Sequence, residues 1–245
     1  MSEEQVTIQT KDGLCKTWVL TPEGTGPWPG VIFYMDAFGI RPGMVQMATH
    51  LAAQGFVVLL PDLYYRFGAY GPLDPVEVFK GDIGAIIGPM MGSTDNHKAA
   101  EDTAAFLAYL DTRPDVSGKA VGTVGFCMGG GMALTAAAYY PGRVAAAASF
   151  HGGNLASDKP VSPHLQLPKI KAELYIAVAD NDQSYPPDMA KRFEAAIAAA
   201  GVKHKTEFYT GKLHGWMKPD LPVYDAEAAE RGWNELVALY ARRLS

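Results

Sequence analysis

Apolar positions in this chain fall into two patterns that alternate from end to end. Residues 31–35, 56–60, 144–150 and 172–179 are short continuous apolar runs, the pattern of strands buried on both faces of a parallel sheet. Between them lie segments with apolar residues at helical spacing: 43–54, 95–110, 187–200 and a last one from about 224 to 244. Glycine closes two of them, at Gly55 and Gly201, as it does for helices that end in a left-handed residue. Residues 4–10 and 16–20 read as two strands of a hairpin around Asp12-Gly13. Residues 203–209 alternate polar and apolar, as a half-buried strand does. Strands alternating with helices predict an α/β architecture, a mostly parallel central sheet with helices on both faces. Residues 67–93 are glycine-rich, and the pattern predicts an irregular region there with one short helix from Pro75. A loop of that length in a compact domain is usually functional, often a lid.

The stretch Val121-Gly-Thr-Val-Gly-Phe-Cys-Met-Gly-Gly-Gly-Met132 breaks the pattern. It starts as a buried strand and ends in glycines that lead into an alanine-rich helix, Met132 to Tyr140. Within it, Gly125-Phe-Cys-Met-Gly129 is the G-x-S-x-G nucleophile elbow with cysteine in the serine position. A sharp strand-to-helix turn pushes the side chain of Cys127 out above the sheet, and the flanking glycines remove Cβ atoms that would collide. The helix N-terminus behind it favours a thiolate. A buried, inert cysteine in a tight turn is the competing reading, so the rest of the chain must supply a base, an acid and an oxyanion hole.

Ligands in open α/β sheets bind at the carboxyl ends of the strands. Asp36 and Ala37 follow the strand at 31–35, so a carboxylate and a backbone N–H lie beside the site; a loop or helix-capping role for Asp36 is the alternative. Tyr64, Tyr65 and Arg66 leave the strand at 56–60 and either line a pocket or pack a surface loop. His151 precedes two glycines and is a rival base, although a structural hydrogen bond suits its position better. Asp180 and Asp182 follow the strand at 172–179, and His214 follows the last strand. Nucleophile, acid and histidine therefore come in the order of the α/β-hydrolase fold. Cys127 would attack an acyl carbon, His214 would move the proton, and an aspartate would hold the imidazole tautomer. The N–H groups of Met128 and Ala37 would hold the oxyanion.

The 245 residues suit a single domain over 1–245. Hydrophobic residues at 48% and charged residues at 19% are ordinary for a globular protein, and a net charge of −5 offers no footprint for nucleic acid. No apolar run is long enough to span a bilayer, and the acidic start lacks a secretory apolar core, which predicts a cytoplasmic protein. Two cysteines make no disulfide framework; Cys15 reads as a packing residue. The histidines lack paired ligand spacing and no dinucleotide fingerprint is present, so neither a metal nor a cofactor is expected. The expected partner is a small molecule, and a monomer or small homo-oligomer is expected.

Gly125-Phe-Cys-Met-Gly-Gly130, Pro61-Asp-Leu-Tyr64, Asp180-Asn-Asp-Gln-Ser-Tyr-Pro186 and Leu213-His-Gly-Trp216 together resemble the dienelactone hydrolase, or carboxymethylenebutenolidase, family over nearly the whole chain. The resemblance implies a Cys127–Asp182–His214 triad, with Asp182 chosen because it stands four residues before the proline, and hydrolysis of an enol lactone. It also implies that Asp36 stands where the family carries an acidic residue, usually Glu, that helps govern thiol ionisation. Lactone-specific members hold the substrate carboxylate with two arginines. One of these positions is Lys218 here, and residues 69–94 contain no arginine for the other, which leaves Arg66 as a substitute. Trp216 is expected to narrow the pocket beside His214. The leading expectation is a cysteine-dependent hydrolase of a lactone or small ester. A broader esterase or thioesterase, or a ligand-binding protein on a hydrolase scaffold, are the alternatives.

Overall fold

A computed structural model describes residues 1–244. Eight strands form one sheet: β1 (Ser2–Gln9), β2 (Leu14–Thr21), β3 (Trp28–Tyr34), β4 (Val57–Pro61), β5 (Val116–Phe126), β6 (Val144–Phe150), β7 (Glu173–Ala179) and β8 (His204–Tyr209). Their order across the sheet is β1-β2-β4-β3-β5-β6-β7-β8. β1 and β2 pair antiparallel, as do β2 and β4, and every later pair is parallel. The direction of winding reverses between β3 and β5, which opens a crevice at their carboxyl ends. The fold is that of the α/β-hydrolases.

The helices are α1 (Pro42–Ala52), α2 (Pro75–Lys80), α3 (Ile83–Gly92), α4 (Asn96–Thr112), α5 (Met128–Tyr139), α6 (Pro187–Ala200) and α7 (Ala226–Arg243). Their sides are fixed by the alternation of strand side chains. On β5, a Cβ on Gly122 would meet Tyr240 of α7 at 2.7 Å, while the hydroxyl of the next residue, Thr123, donates to the carbonyl of Ala133 in α5 at 3.1 Å. α5 and α7 therefore cover opposite faces. α1 shares the α7 face, where the ring of His50 lies 4.9 Å from Trp233. A layer of aromatic rings fills the space beneath α7: Phe126 stacks between Phe33 (4.9 Å) and Phe150 (5.2 Å). β6, β7 and β5 from Val121 onward are almost wholly buried, as continuous apolar strands must be, while the first half of β5 is partly exposed.

Element types agree with the sequence pattern except between residues 67 and 93. There the chain forms two helices, α2 and α3, rather than an irregular loop with one helix. Asp74 and Asp82 each cap a helix by accepting a backbone N–H, from Val76 and from Ala85. Glycine and proline lower the helical propensity of α3, but burial of Ile87 and Met90 on its inner side compensates. The polar stretch after β6 also holds a 3-10 turn, Pro163–Lys169.

The turn after β5 is the tightest place in the molecule. Cys127 has φ 57° and ψ −116°. A Cβ on Gly125 would lie 1.8 Å from the carbonyl oxygen of Gly129, and one on Gly129 would lie 2.3 Å from that of Tyr34 in β3. Neither contact is with a movable side-chain end. Gly125→Ala should therefore lower the unfolding free energy by about 3 kcal/mol, read from the urea midpoint at unchanged slope. A loss under about 0.5 kcal/mol would show that the turn is looser than described.

Candidate active site

Each group at the site is supplied by the end of a different strand. Cys127 sits at the β5–α5 turn, where its amide donates to Phe150 at the end of β6 (3.1 Å) and its carbonyl accepts from Gly130 (3.1 Å). Asp182 lies in the loop after β7 and His214 in the loop after β8. These two loops are tied together, since the amide of Asp180 donates to the Lys212 carbonyl (2.8 Å) and Gly211 donates to the Asp180 carboxylate (3.0 Å). Asp180 is thus occupied in joining the loops, and Asp182 is the carboxylate that meets the imidazole: His214 Nδ1 lies 2.6 Å from Asp182 Oδ2. The other oxygen, Oδ1, accepts from the amide (2.8 Å) and the hydroxyl (2.6 Å) of Ser184. Ser184 fixes the carboxylate that fixes the imidazole.

The imidazole and the thiol shift each other. Burial opposes ionisation of Cys127, but the His214 charge and hydrogen bond, with Lys218 behind them, outweigh it and hold the thiol below its ordinary range. Burial likewise opposes charging of His214, and the thiolate and Asp182 overcome it, raising the imidazole to about 10. Each group thus favours the charged form of the other. Cys15 is the opposite case. It is buried, and desolvation pushes its thiol up to about 12.

Cys127, Met128, Ala37, Ser184 and His214 all line one cavity of about 400 Å³, roofed by Ile87 and Met91 of α3. Among the described residues, the amides of Ala37 and Met128 donate no hydrogen bond within the protein.

Asp36 is completely buried beneath this cavity, and its carboxylate is saturated. Oδ1 accepts from Arg41 (2.8 Å) and from the amide of Phe38 (2.9 Å); Oδ2 accepts from Arg41 (3.0 Å) and Lys218 (2.9 Å). Arg41 also donates to Asp220 at 2.6 Å through Nε. Burial would raise the Asp36 carboxyl, yet Lys218 and Arg41 together hold it below the usual carboxylate range. Arg41 and Asp220 are absent from the sequence-based site, as is Ser184. Their signal was their closeness in sequence to Asp36, Lys218 and Asp182, but only the fold turns them inward.

Four residues expected at the pocket stand elsewhere. Lys218 is almost wholly buried and spends its charge on Asp36, so it does not reach the cavity. Arg66 forms a forked pair with the buried Asp102 of α4 (2.8 and 2.9 Å) and bonds Asp12 (2.9 Å), away from the cavity. Tyr65 bonds Asp102 (2.9 Å) and Thr10 (2.7 Å) in the same cluster, which fastens the β1–β2 turn to α4. Trp216 is fully buried and stacks on Tyr209 at 4.6 Å rather than walling the pocket. His151 also departs from expectation. Its amide donates to Ala177 (2.7 Å), but neither ring nitrogen has a partner among the described residues, and its ring packs edge-on against His214 and Trp216, 5.0 Å from each. Desolvation, aided by the charges on His214 and Lys218, keeps that imidazole neutral.

Removing the carboxylate that joins two buried cations is costly. Asp36→Ala should lower stability by about 3–5 kcal/mol in urea unfolding, because Lys218 is left charged without a partner. The double variant Asp36→Leu/Lys218→Met should recover part of this loss; equal losses for the single and double variants would exclude the pairing as the cause.

The family model described as the dienelactone hydrolase family matches residues 15–244. A Synechocystis protein named "Putative carboxymethylenebutenolidase" is 28% identical over 244 residues, covering 98% of this chain and 96% of its own. A Bradyrhizobium protein named "Probable 2-oxo-3-(5-oxofuran-2-ylidene)propanoate lactonase" is 27% identical, covering 92% and 88%. Among solved structures, a dienelactone hydrolase from Anabaena variabilis superposes over 100% of this chain and 99% of its own, with a TM-score of 0.70 at 21% identity. A dienelactone hydrolase-like promiscuous phosphotriesterase from metagenomic libraries does so with a TM-score of 0.80 at 22% identity, again over 100% and 99%. The chain belongs to the dienelactone hydrolase family and is a hydrolase of ester or lactone bonds.

Proposed function

We propose that this hydrolase is cysteine-dependent and cleaves a lactone or small ester through an acyl-enzyme on Cys127, with Asp182 and His214 completing the triad. The observation that carries the reading is the 2.6 Å contact of Asp182 with His214 Nδ1, which leaves Nε2 for proton transfer in the cavity that His214 and Cys127 both line. The thiolate attacks the carbonyl carbon, and the amides of Ala37 and Met128 receive the developing oxyanion. Collapse expels the alcohol or enol oxygen, which takes the proton from His214. The now neutral imidazole removes a proton from water, the hydroxide attacks the thioester, and expulsion of the thiolate restores the starting ion pair. Asp182 keeps the tautomer throughout, and Ser184 keeps Asp182 in place. Saturation of Asp36 by Arg41 and Lys218 supports a thiol that is ionised before substrate arrives, since this carboxylate takes no proton from the thiol and holds Lys218 where its charge favours the thiolate. A catalytic thiolate that is half-buried at a cavity suits a reducing cytoplasm.

Two measurements test the reading. Cys127→Ala should reduce hydrolysis of 4-nitrophenyl acetate and of an enol lactone at least about 10³-fold, and Asp182→Asn about 10²–10⁴-fold, with folding intact by circular dichroism. Wild-type rates in Cys127→Ala would remove Cys127 as the nucleophile. Iodoacetamide should alkylate Cys127 with a half-maximal pH below the free-thiol value of about 8.5, while Cys15 stays unmodified in the folded protein. A midpoint at or above that value would remove the ion pair.

A further inference from the structure

We infer that the cavity at Cys127 selects an uncharged, apolar acyl group and rejects acyl groups that carry a carboxylate; this rests on the hydrolase reading above. The apolar part of the lining comes from Ile87 and Met91 of α3, Met128 and Met132 of α5, and Val161, and uncharged polar groups such as Thr94, Asn96, Asn154 and Ser157 complete it. Methionine side chains are flexible and polarisable, so such a wall moulds to alkyl or aryl groups.

Charge points the same way. Asp95, at the head of α4, lines the cavity, and its carboxylate already takes the free amides of that helix, those of His97 and Lys98, each at 2.8 Å. Asp182 is matched by the His214 imidazolium, so a Cys127 thiolate and Asp95 leave the cavity interior with negative charge and Lys159 as its lining cation. The cations that might greet an anion are committed elsewhere. Lys218 and Arg41 hold Asp36, Arg66 holds Asp102, and Lys98 donates to the Ser93 carbonyl at 3.2 Å. Lys159 lines the cavity but is exposed at its rim, where solvent screens it. A carboxylate inside would thus lose its hydration without gaining a buried counter-charge. A neutral acyl group carries no such cost, and about 400 Å³ accommodates one of moderate size.

The test compares 4-nitrophenyl hexanoate with the mono-4-nitrophenyl ester of adipic acid, which share a leaving group and differ in a terminal carboxylate. At pH 7 and low salt, kcat/KM for the neutral ester should exceed that for the anionic one by about tenfold or more, and the ratio should shrink as ionic strength rises. Asp95→Asn, which keeps a capping side chain, should narrow the ratio, as should Met91→Arg, placed where the native side chain is already partly exposed. Equal values, or a preference for the anionic ester, with Cys127→Ala inactive on both, would overturn the selectivity and leave the hydrolase reading intact. If wild type cleaves neither ester faster than Cys127→Ala does, the hydrolase reading falls and takes the selectivity with it.

Discussion

The close approach of two backbones at the end of β5 is the constraint on which the site depends. Gly125 and Gly129 let the strand turn into α5 within a few residues, and β3 passes against the same turn, with the Tyr34 carbonyl where a Gly129 Cβ would stand. This contact sets Cys127 at a positive φ, which lifts its side chain off the sheet and points the first turn of α5 at the same cavity. Because β3 and β5 are neighbours at the reversal of strand order, Ala37 arrives on the other side of the thiol. A geometry held by the central strands need not be assembled by the substrate.

Around the turn, charge is arranged in two layers. The upper layer is Asp182 bonded to His214, with His214 and Cys127 both lining the cavity. The lower is the buried group of Asp36, Arg41 and Lys218 with the half-buried Asp220, in which each carboxylate is matched by a guanidinium or an ammonium. Buried ion pairs add little net stability, but breaking one is expensive, so such a group persists where it positions charge. Here it leaves Lys218 near enough to favour the thiolate while denying it to the substrate. The lower layer thus acts on the Cys127 thiol through Lys218 while keeping its cations paired with carboxylates.

Much of this was legible in the sequence because its signals are local. The elbow is a run of five residues, the apolar strands are continuous, and the acid and the histidine each directly follow a strand. What escaped was long-range. Asp36 and Lys218 are 182 residues apart and Arg66 and Asp102 are 36 apart, so no spacing rule shows that each cation is already taken. Trp216 looks like a pocket wall in sequence because it follows His214 by two, but its ring has Tyr209 to stack on and turns inward. His151 looks like a hydrogen-bonding residue, yet it is used as a flat neutral ring against His214. α3 was obscured by its own composition: Gly84, Gly88 and Pro89 read as loop, and only the burial of Ile87 and Met90 makes the segment a helix.

The central claim is that the acyl group is carried on one sulfur atom. Mixing the protein with a slowly hydrolysed 4-nitrophenyl ester, quenching in acid within the first turnover and mapping peptides by mass spectrometry tests it directly. The account predicts a mass increase equal to the acyl group on the peptide that contains Cys127, reversed by hydroxylamine and absent from the His214→Ala protein. An acyl group on any other residue, or turnover with no covalent adduct at any quench time, would contradict it.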